Sequence, residues 1–403
     1  MKAHFFSAKK WLVMHWRGLL SAIVITLLAI TTLGLQLNSL VPGYNKYELD
    51  TLNRISAPVD LTFRAVNLTY YLPANVLGSL INNDLLAARI VSLTYILLSV
   101  ALLFLIVKKI FNIRMATIGS LLFITSSWVL AISHQAIPLS LLIFSPLLVL
   151  AAFTWHIKNK KVQFSSFLFL VSALAFSAYT PYMFWIVAAC ITVFVILTKF
   201  KFFDFKKTHL LIAAALYLTI LSPLILSLSK YPGQIKELLG IPLNFPSFSE
   251  YINRSIDLLS SLFIASSPLP ELHLGQLPIL DIFSATMFIL GFYYFIKHIN
   301  KKRSLMLISS IAVLYAILPL SALYNVYMAI LLPFIYIFVI AGIVELIRQW
   351  YAYFPRNPWA RYFGMTLVVI AIGLSSFYNL SRFYIAWPNT PETKAVYMIK
   401  SKE

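Results

Sequence analysis

The stretch Leu40–Ser56, "LVPGYNKYELDTLNRIS", follows the first long apolar run of the chain and packs two acids, two bases, a Pro-Gly turn and two asparagines into seventeen residues. Its surroundings are hydrocarbon. The chain has 403 residues, of which 60% are hydrophobic and 11% charged. Soluble domains carry about 25% charged residues. A chain this apolar is a multi-span membrane protein. The polar stretch is therefore the first place where the protein leaves the bilayer, and its reading fixes the topology.

Working outward, about eleven apolar segments of about 18–22 residues follow one another. They centre on residues 17–37, 85–107, 115–132, 138–155, 164–180, 181–198, 209–229, 280–297, 304–320, 325–347 and 364–381. The basic amino-terminal run leads into the first of them with no small-residue cleavage site, so this segment reads as an uncleaved span. The net charge of +19 comes from short basic runs between apolar segments. These are the amino-terminal segment with Lys9, Lys10 and Arg17, then "KKIFNIR", "HIKNKK", "KFKFFDFKK", "KHINKKR" and "RQWYAYFPRNPWAR". With eleven spans all six fall on one side, which the positive-inside rule makes cytoplasmic. A nucleic-acid partner is excluded on the same ground. The amino terminus then lies inside and the carboxyl terminus outside, in a plasma (inner) membrane. Of the acids, only Asp204 and Glu345 lie toward the cytoplasm, while Glu48, Asp50, Asp60, Asp84, Glu237, Glu250, Asp257, Glu271, Asp281 and Glu392 lie outside.

The expected architecture is thus an all-α, polytopic membrane helix bundle forming a single domain over residues 1–403. Two outer connections are long, 38–84 and 230–279, and a short outer tail covers 382–403. Both connections are rich in aromatic and aliphatic residues, so they read as amphipathic helices lying on the outer rim. The single cysteine, Cys190, excludes an intrachain disulfide, and no histidines and acids share metal-ligand spacing.

Within the quoted stretch, a helix from Lys46 onward with Glu48 set at 0° puts Leu52 near about 40° and Ile55 near about 340°. Glu48 therefore shares the apolar face, where a carboxylate needs a partner or a task. Serving as a general base is one reading; capping the helix N-terminus is the other. Asp50 falls near about 200° and faces Arg54 one turn on, the geometry of an ordinary helix ion pair. Arg89 lies about one turn inside the outer end of the second span. It reads as a phosphate clamp or as a snorkelling arginine. His134 and Gln135 occupy a short outer turn, and Glu271 with His273 precedes a later span. These four, with Tyr47, are candidates for lining an outer cavity. Arg254, in the second long connection, is a second candidate for a phosphate group.

Several segments resemble the GT-C integral membrane glycosyltransferases, the protein O-mannosyltransferase and lipid A aminoarabinose transferase group in particular. "VPGYNKYEL" (41–49) is similar to the family's Pro-Gly turn and acidic pair, and "YYLPANVLGSLINNDLLAARIVS" (70–92) to its passage into the second span. "HLGQLPILDIFSATMFILGFYYF" (273–295) and "FYNLSRFYIAWPN" (377–389) resemble the later outer segments. The resemblance implies a glycosyltransferase that moves a sugar from a polyprenyl-phosphate donor to a lipid, glycan or protein acceptor on the outer face, with inversion. It implies Glu48 as the catalytic carboxylate and Arg89 as a ligand of the donor phosphate; Asp50 and Arg254 are the further candidates for these two roles by position. It calls for no cofactor, and leaves a divalent metal open. Three departures stand against full activity: Tyr47 occupies the place of the first acid, "SHQAIP" (133–138) lacks a charge, and "YNVYMAILLP" (324–333) lacks a basic residue. The alternatives are a catalytically degenerate relative and a flippase or transporter for lipid-linked sugars.

Overall fold

A computed structural model describes residues 18, 20–41, 43–55, 64–158, 164–198 and 207–397. Pro42, Asp60, Asp204, the Lys9–Arg17 segment and parts of the "HIKNKK" and "KFKFFDFKK" runs lie outside the described residues. The described chain is helical. In order the helices are α1 (Leu20–Gly34), α2 (Lys46–Ile55), α3 (Leu68–Ile81), α4 (Asp84–Ile110), α5 (Ile113–Thr125), α6 (Ser127–His134) and α7 (Leu139–Lys158). They continue as α8 (Phe164–Ser177), α9 (Met183–Thr198), α10 (Lys207–Lys230), α11 (Gln234–Leu239), α12 (Phe248–Phe263), α13 (Ile282–Lys297) and α14 (Lys302–Ile317). A short α15 (Tyr324–Tyr327) leads into α16 (Leu332–Tyr353) and α17 (Pro358–Ser381), and two short turns of helix, α18 (Trp387–Asn389) and α19 (Pro391–Val396), finish the described chain.

Six of these segments are long and apolar enough to cross a membrane, and α5 with α6 passes the same test as a pair bent by 61°. Four shorter apolar helices, α1, α8, α9 and α13, occupy the other positions where the sequence places spans. Leucines and isoleucines cover the outside of the bundle: Leu211 is 71% exposed and Leu226 65% exposed. In water such a surface would drive aggregation; in acyl chains it is the proper solvent contact. The protein is a multi-pass membrane protein.

The polar ends of the helices start where the sequence supplies caps. Asn83, Asn112 and Asn357 each accept the N–H of the residue three positions on, and Ser247 with Glu250 forms a reciprocal capping box at α12. The bundle is layered by burial. Of the α16 span 83% of the apolar window is buried and of α7 78%, whereas α10 and α17 bury only 22% and 28%. α16 and α7 are therefore central, and α10 and α17 face lipid. All residues of α6 are buried, so the bend at Ser126 brings a short helix end into the core beside the first long connection.

Two close approaches hold this arrangement. α13 lies against α16 with Gly291 on the Phe338 carbonyl and Gly342 on the Met287 carbonyl, where a Cβ would collide with backbone. Small residues at such a contact let two helix backbones meet in a bilayer. Between α8 and α9 the chain turns at Tyr182, whose φ is 64°, close to the Thr180-Pro181 break expected from sequence. Its ring covers Gly240, itself at φ 67°, so a side chain at 240 is barred both by backbone and by space.

Both long connections are helical. α2 and α3 fill the first; α11 and α12 fill the second. α12 is the strongly two-faced one: Phe248, Ile256 and Leu259 are exposed along one side while Leu258 and Leu262 are buried on the other. α3 is apolar on both sides, with Leu72, Val76 and Leu80 outward and Tyr70, Tyr71 and Ala74 inward.

Replacing Gly291 or Gly342 by valine is expected to push α13 off α16 and to cost about 1–3 kcal/mol, the usual range for overpacking. Thermal unfolding in detergent should show a lowered midpoint for both variants and little change for Gly233→Ala, where a Cβ meets open space.

Candidate active site

The quoted stretch builds its own helix start. Asn45 Oδ1 accepts the N–H groups of Tyr47 and Glu48 at 2.9 Å each, and Glu48 Oε2 accepts the Asn45 N–H at 3.3 Å. The cap reading of Glu48 therefore holds. Its carboxylate does more. Oε1 receives Arg89 Nε at 3.1 Å and the Ala136 N–H at 2.8 Å, and Oε2 receives Arg89 Nη2 at 3.2 Å. The guanidinium also donates to the Gly43 carbonyl at 3.0 Å, to Asn38 Oδ1 at 3.2 Å and to the Leu37 carbonyl at 3.5 Å. Glu48 is 0% exposed and Arg89 3%.

Sequence reasoning places Glu48 and Arg89 together, and so does the fold, but as partners of each other. Four donors fill the carboxylate, about the number of its lone-pair sites. Every nitrogen of the guanidinium is engaged. With both groups sealed from water, Glu48 has no open lone pair for an acceptor proton, and Arg89 has no free edge for a phosphate. This buried pair fastens α2 to α4 and to the turn after α6.

The other candidates are also packed rather than cavity-lining. His134 is buried, with Nδ1 2.8 Å from the Leu130 carbonyl and Nε2 2.9 Å from that of Leu35. Gln135 donates to the Tyr397 hydroxyl at 3.0 Å and to the Glu271 carbonyl, and that hydroxyl donates to the same carbonyl at 3.0 Å. Glu271 binds Lys46 at 3.1 Å, and the Lys46 ammonium lies 4.9 Å from the Tyr47 ring. His273 stacks on Trp128 at 5.6 Å and meets Ser266 Oγ at 3.0 Å. Arg254 donates to the Pro319 and Ser321 carbonyls, both at 3.3 Å, and thereby ties α12 to the connection before α15. The space expected to be a cavity is filled by Tyr397, 3% exposed, brought back from the end of the described chain. No pattern in the sequence marks Tyr397 for this place; its only signal is an aromatic residue in a polar tail.

The open polar pocket lies elsewhere. A cavity of about 440 Å³ sits between the two long connections, lined by Arg54, Arg64, Lys230, Tyr231, Gln234 and Glu237 among others. The backbone around Arg64 is sewn to the second connection. The Ala65 N–H donates to Ser227 Oγ at 3.0 Å and to Gln234 Oε1 at 3.2 Å, and Ser227 Oγ donates to Gln234 Oε1 at 3.0 Å. Asp50 reaches this rim through Arg54, 3.2 Å away, and its side chain is 65% exposed. Burial opposes the charge of Arg54, but Tyr71, Asp50 and Glu237 outweigh it and the net shift is upward; with Arg64 and Lys230 it makes three basic side chains on the cavity.

Directly beside it, a larger apolar groove of about 750 Å³ opens between α8, α9, α10 and α11, lined by Leu174, Met183, Tyr217, Leu224 and Leu228 among others. α11 divides the two spaces. Gln234 and Glu237 face the polar cavity; Ile235, Leu238 and Leu239 face the groove. Sequence reasoning missed Arg64, Lys230 and Glu237, because each looks like a solvated loop charge until the two connections meet. Among the described residues no group of three His, Cys, Asp or Glu side chains could hold a metal ion.

Arg89→Leu is expected to destabilise by about 3–5 kcal/mol, since it leaves a buried carboxylate unpaired. Glu48→Leu combined with Arg89→Leu should recover part of this loss in a thermal-unfolding double-mutant cycle. A second expectation concerns pH. Burial, reinforced by the Arg382 charge, holds His273 down at about 4 against its ordinary 6.5. The folded state thus keeps the ring neutral where the unfolded chain protonates it. Its contribution is present above pH 6.5 and is lost as pH falls from there toward 4. His273→Gln should flatten the midpoint-versus-pH curve across that window.

No family model matches the sequence, and no curated protein matches it. Solved structures do. ArnT from Cupriavidus metallidurans in the apo state superposes with a TM-score of 0.57 at 13% identity, covering 97% of this chain and 77% of that one. ArnT bound to undecaprenyl phosphate gives 0.56 at 11% identity, covering 95% and 77%. The archaeal oligosaccharyltransferase AglB from Archaeoglobus fulgidus, in complex with an inhibitory peptide and a dolichol-phosphate, gives 0.53 at 13% identity, covering 94% of this chain and 56% of that one. Identity this low speaks to architecture alone: the chain shares its fold with these GT-C membrane enzymes.

Proposed function

We propose that the protein is a membrane glycosyltransferase that moves a sugar from a polyprenyl-phosphate donor to an acceptor hydroxyl or amine on the extracytoplasmic face. One juxtaposition carries this reading: a cavity with three cations and an apolar groove of about 750 Å³ share α11 as their common wall. A lipid phosphate is the ligand with both halves. Its isoprenoid chain would lie in the groove between α8 and α10. Its phosphate would meet Arg54, Arg64 and Lys230, and arginine suits phosphate through two parallel hydrogen bonds. Bound lipid phosphates in the ArnT and AglB structures support the same class of donor.

The roles shift along α2. Glu48 and Arg89 hold the helix; Asp50, one residue pair further and turned outward, is the carboxylate able to accept a proton. In the proposed step Asp50 takes the acceptor proton and the acceptor oxygen or nitrogen bonds to the anomeric carbon from the side opposite the phosphate. The bond from that carbon to the phosphate oxygen breaks, and the cations stabilise the leaving lipid phosphate. Displacement from the opposite side inverts the anomeric centre. Glu237 is the acid among the residues lining the cavity, while Asp50 stands at its rim through Arg54. With eleven spans the six basic segments of the sequence fall on one side, which supports an inner-membrane location with the cavity outside.

A second reading, a catalytically degenerate relative, draws on the sealing of Glu48 together with tyrosine at position 47. Such a protein would keep the lipid phosphate without transferring a sugar. The experiment separates the two. Wild-type protein in nanodiscs is titrated with undecaprenyl phosphate and assayed with a panel of polyprenyl-phosphate sugars. Arg64→Ala and Lys230→Ala should each weaken undecaprenyl phosphate binding about tenfold, the loss of one charge-assisted contact. Arg254→Ala should leave it unchanged. Asp50→Asn should keep binding and lower transfer about 100-fold or more, the usual worth of a general base. Binding that ignores Arg64 and Lys230 would sink the donor site. Binding without transfer to any acceptor would establish the degenerate reading.

A further inference from the structure

A second lateral groove lies on another part of the bundle. Its volume is about 740 Å³, nearly that of the first, and it opens between α13 and α17. Met287, Ala371 and Leu374 form apolar walls, and Asp281, Ser375 and Tyr378 stand at the end nearest the second long connection. The charge at its mouth is the reverse of that in the cavity beside α11: one carboxylate, no cation among the lining residues.

Asp281 is held in a defined orientation. Oδ2 accepts Ser284 Oγ at 2.8 Å, Ser375 Oγ at 2.9 Å and Asn379 Nδ2 at 2.9 Å. Oδ1 accepts only the Ser284 N–H at 3.1 Å, as the cap of α13. The four donors equal about the number of lone-pair sites of a carboxylate, but they crowd on Oδ2 and leave Oδ1 with a single one. Every donor is neutral. Among the described residues no lysine, arginine or histidine pairs with it within 4.0 Å. The nearby Arg382 spends its terminal nitrogens on the Pro278 carbonyl at 2.7 Å and the Leu277 carbonyl at 3.2 Å. A half-buried carboxylate on a lipid-facing wall is costly without a counter-charge.

We propose that this groove holds one bilayer phospholipid with an ammonium headgroup, its chain lying between α13 and α17 and its ammonium on Asp281 Oδ1. The complementarity is specific. An ammonium supplies the direct ion pair that Arg382, coupled to Asp281 only through space, does not make, and brings three donors, whereas the anionic head of a polyprenyl phosphate or of a phosphatidylglycerol meets a negative mouth. The two grooves would thus sort lipids by charge, anions to α11 and aminolipids to Asp281. The inference is independent of the transferase reading, because it concerns a different groove and a bound lipid, not a reaction.

The test is lipid retention. Full-length protein is equilibrated in nanodiscs of equal phosphatidylethanolamine and phosphatidylglycerol, extracted into detergent, and weighed by native mass spectrometry. Wild type should retain one phosphatidylethanolamine. Asp281→Asn, which keeps the helix cap, should lower retention at least tenfold. Ala371→Trp, which fills the groove and leaves the carboxylate, should abolish it. Arg64→Ala should retain it fully while binding undecaprenyl phosphate about tenfold more weakly in a separate titration, so failure at one groove is distinguishable from failure at the other. Equal retention in wild type and Asp281→Asn would overturn the proposal, as would retention of phosphatidylglycerol or of a neutral glycolipid in place of phosphatidylethanolamine. Circular dichroism of each variant checks that the bundle is intact, and Leu374→Trp repeats the groove-filling test if Ala371→Trp is not.

Discussion

The buried pair of Glu48 and Arg89 is the constraint from which the outer half of the molecule follows. An isolated charge of either sign would be intolerable where these two lie. Together, and with the Asn45 and Ala136 amides, Asn38 and two carbonyls, they satisfy each other. The energetic gain of such a pair over two apolar residues is small; its geometric consequence is large. It fixes the direction of α2 relative to α4 and to the buried end of α6. Once α2 is so fixed, Asp50 and Arg54 must point away from the core, toward the second long connection.

That second connection completes the picture. Ser227 and Gln234 bind the backbone beside Arg64, and the turn at Tyr182 closes on Gly240 and on the Leu238 carbonyl. Charges from residues 54, 64, 230 and 237 then converge, although nothing in their local sequence links them. α11, only six residues long, has its polar side on this cavity and its apolar side on the neighbouring groove. A lipid phosphate has the same division of polarity. This end of the bundle thus sets a charged cavity beside an apolar groove, with α11 as the wall between them.

Sequence reasoning found the membrane bundle, the order of its apolar segments and the helical character of both long connections, because hydropathy and capping residues act locally. It also found that Glu48 lies on the inward face of α2 and that Asp50 pairs with Arg54, since both follow from about 100° per residue. The readings that depended on what stands opposite a side chain fared differently. Glu48 and Arg89 were paired in purpose but not recognised as each other's counter-ions. His134, Gln135, Glu271 and His273 were expected to line a cavity, yet all four are buried, and Gln135 and the Glu271 carbonyl meet on Tyr397, more than 120 residues from either in sequence.

What the sequence determines by itself is the solvent of each segment: which residues belong in acyl chains, which begin a helix, and which face of α2 turns inward. These are properties of local composition and of a fixed helical repeat. What only the tertiary structure decides is the use of each charge. Whether a carboxylate is a buried staple, as Glu48 is, or an exposed partner of its own helix neighbour, as Asp50 is, depends on which distant group reaches it. The attraction between two charges is set by their separation and by the water left between them, and neither is written in the order of the residues.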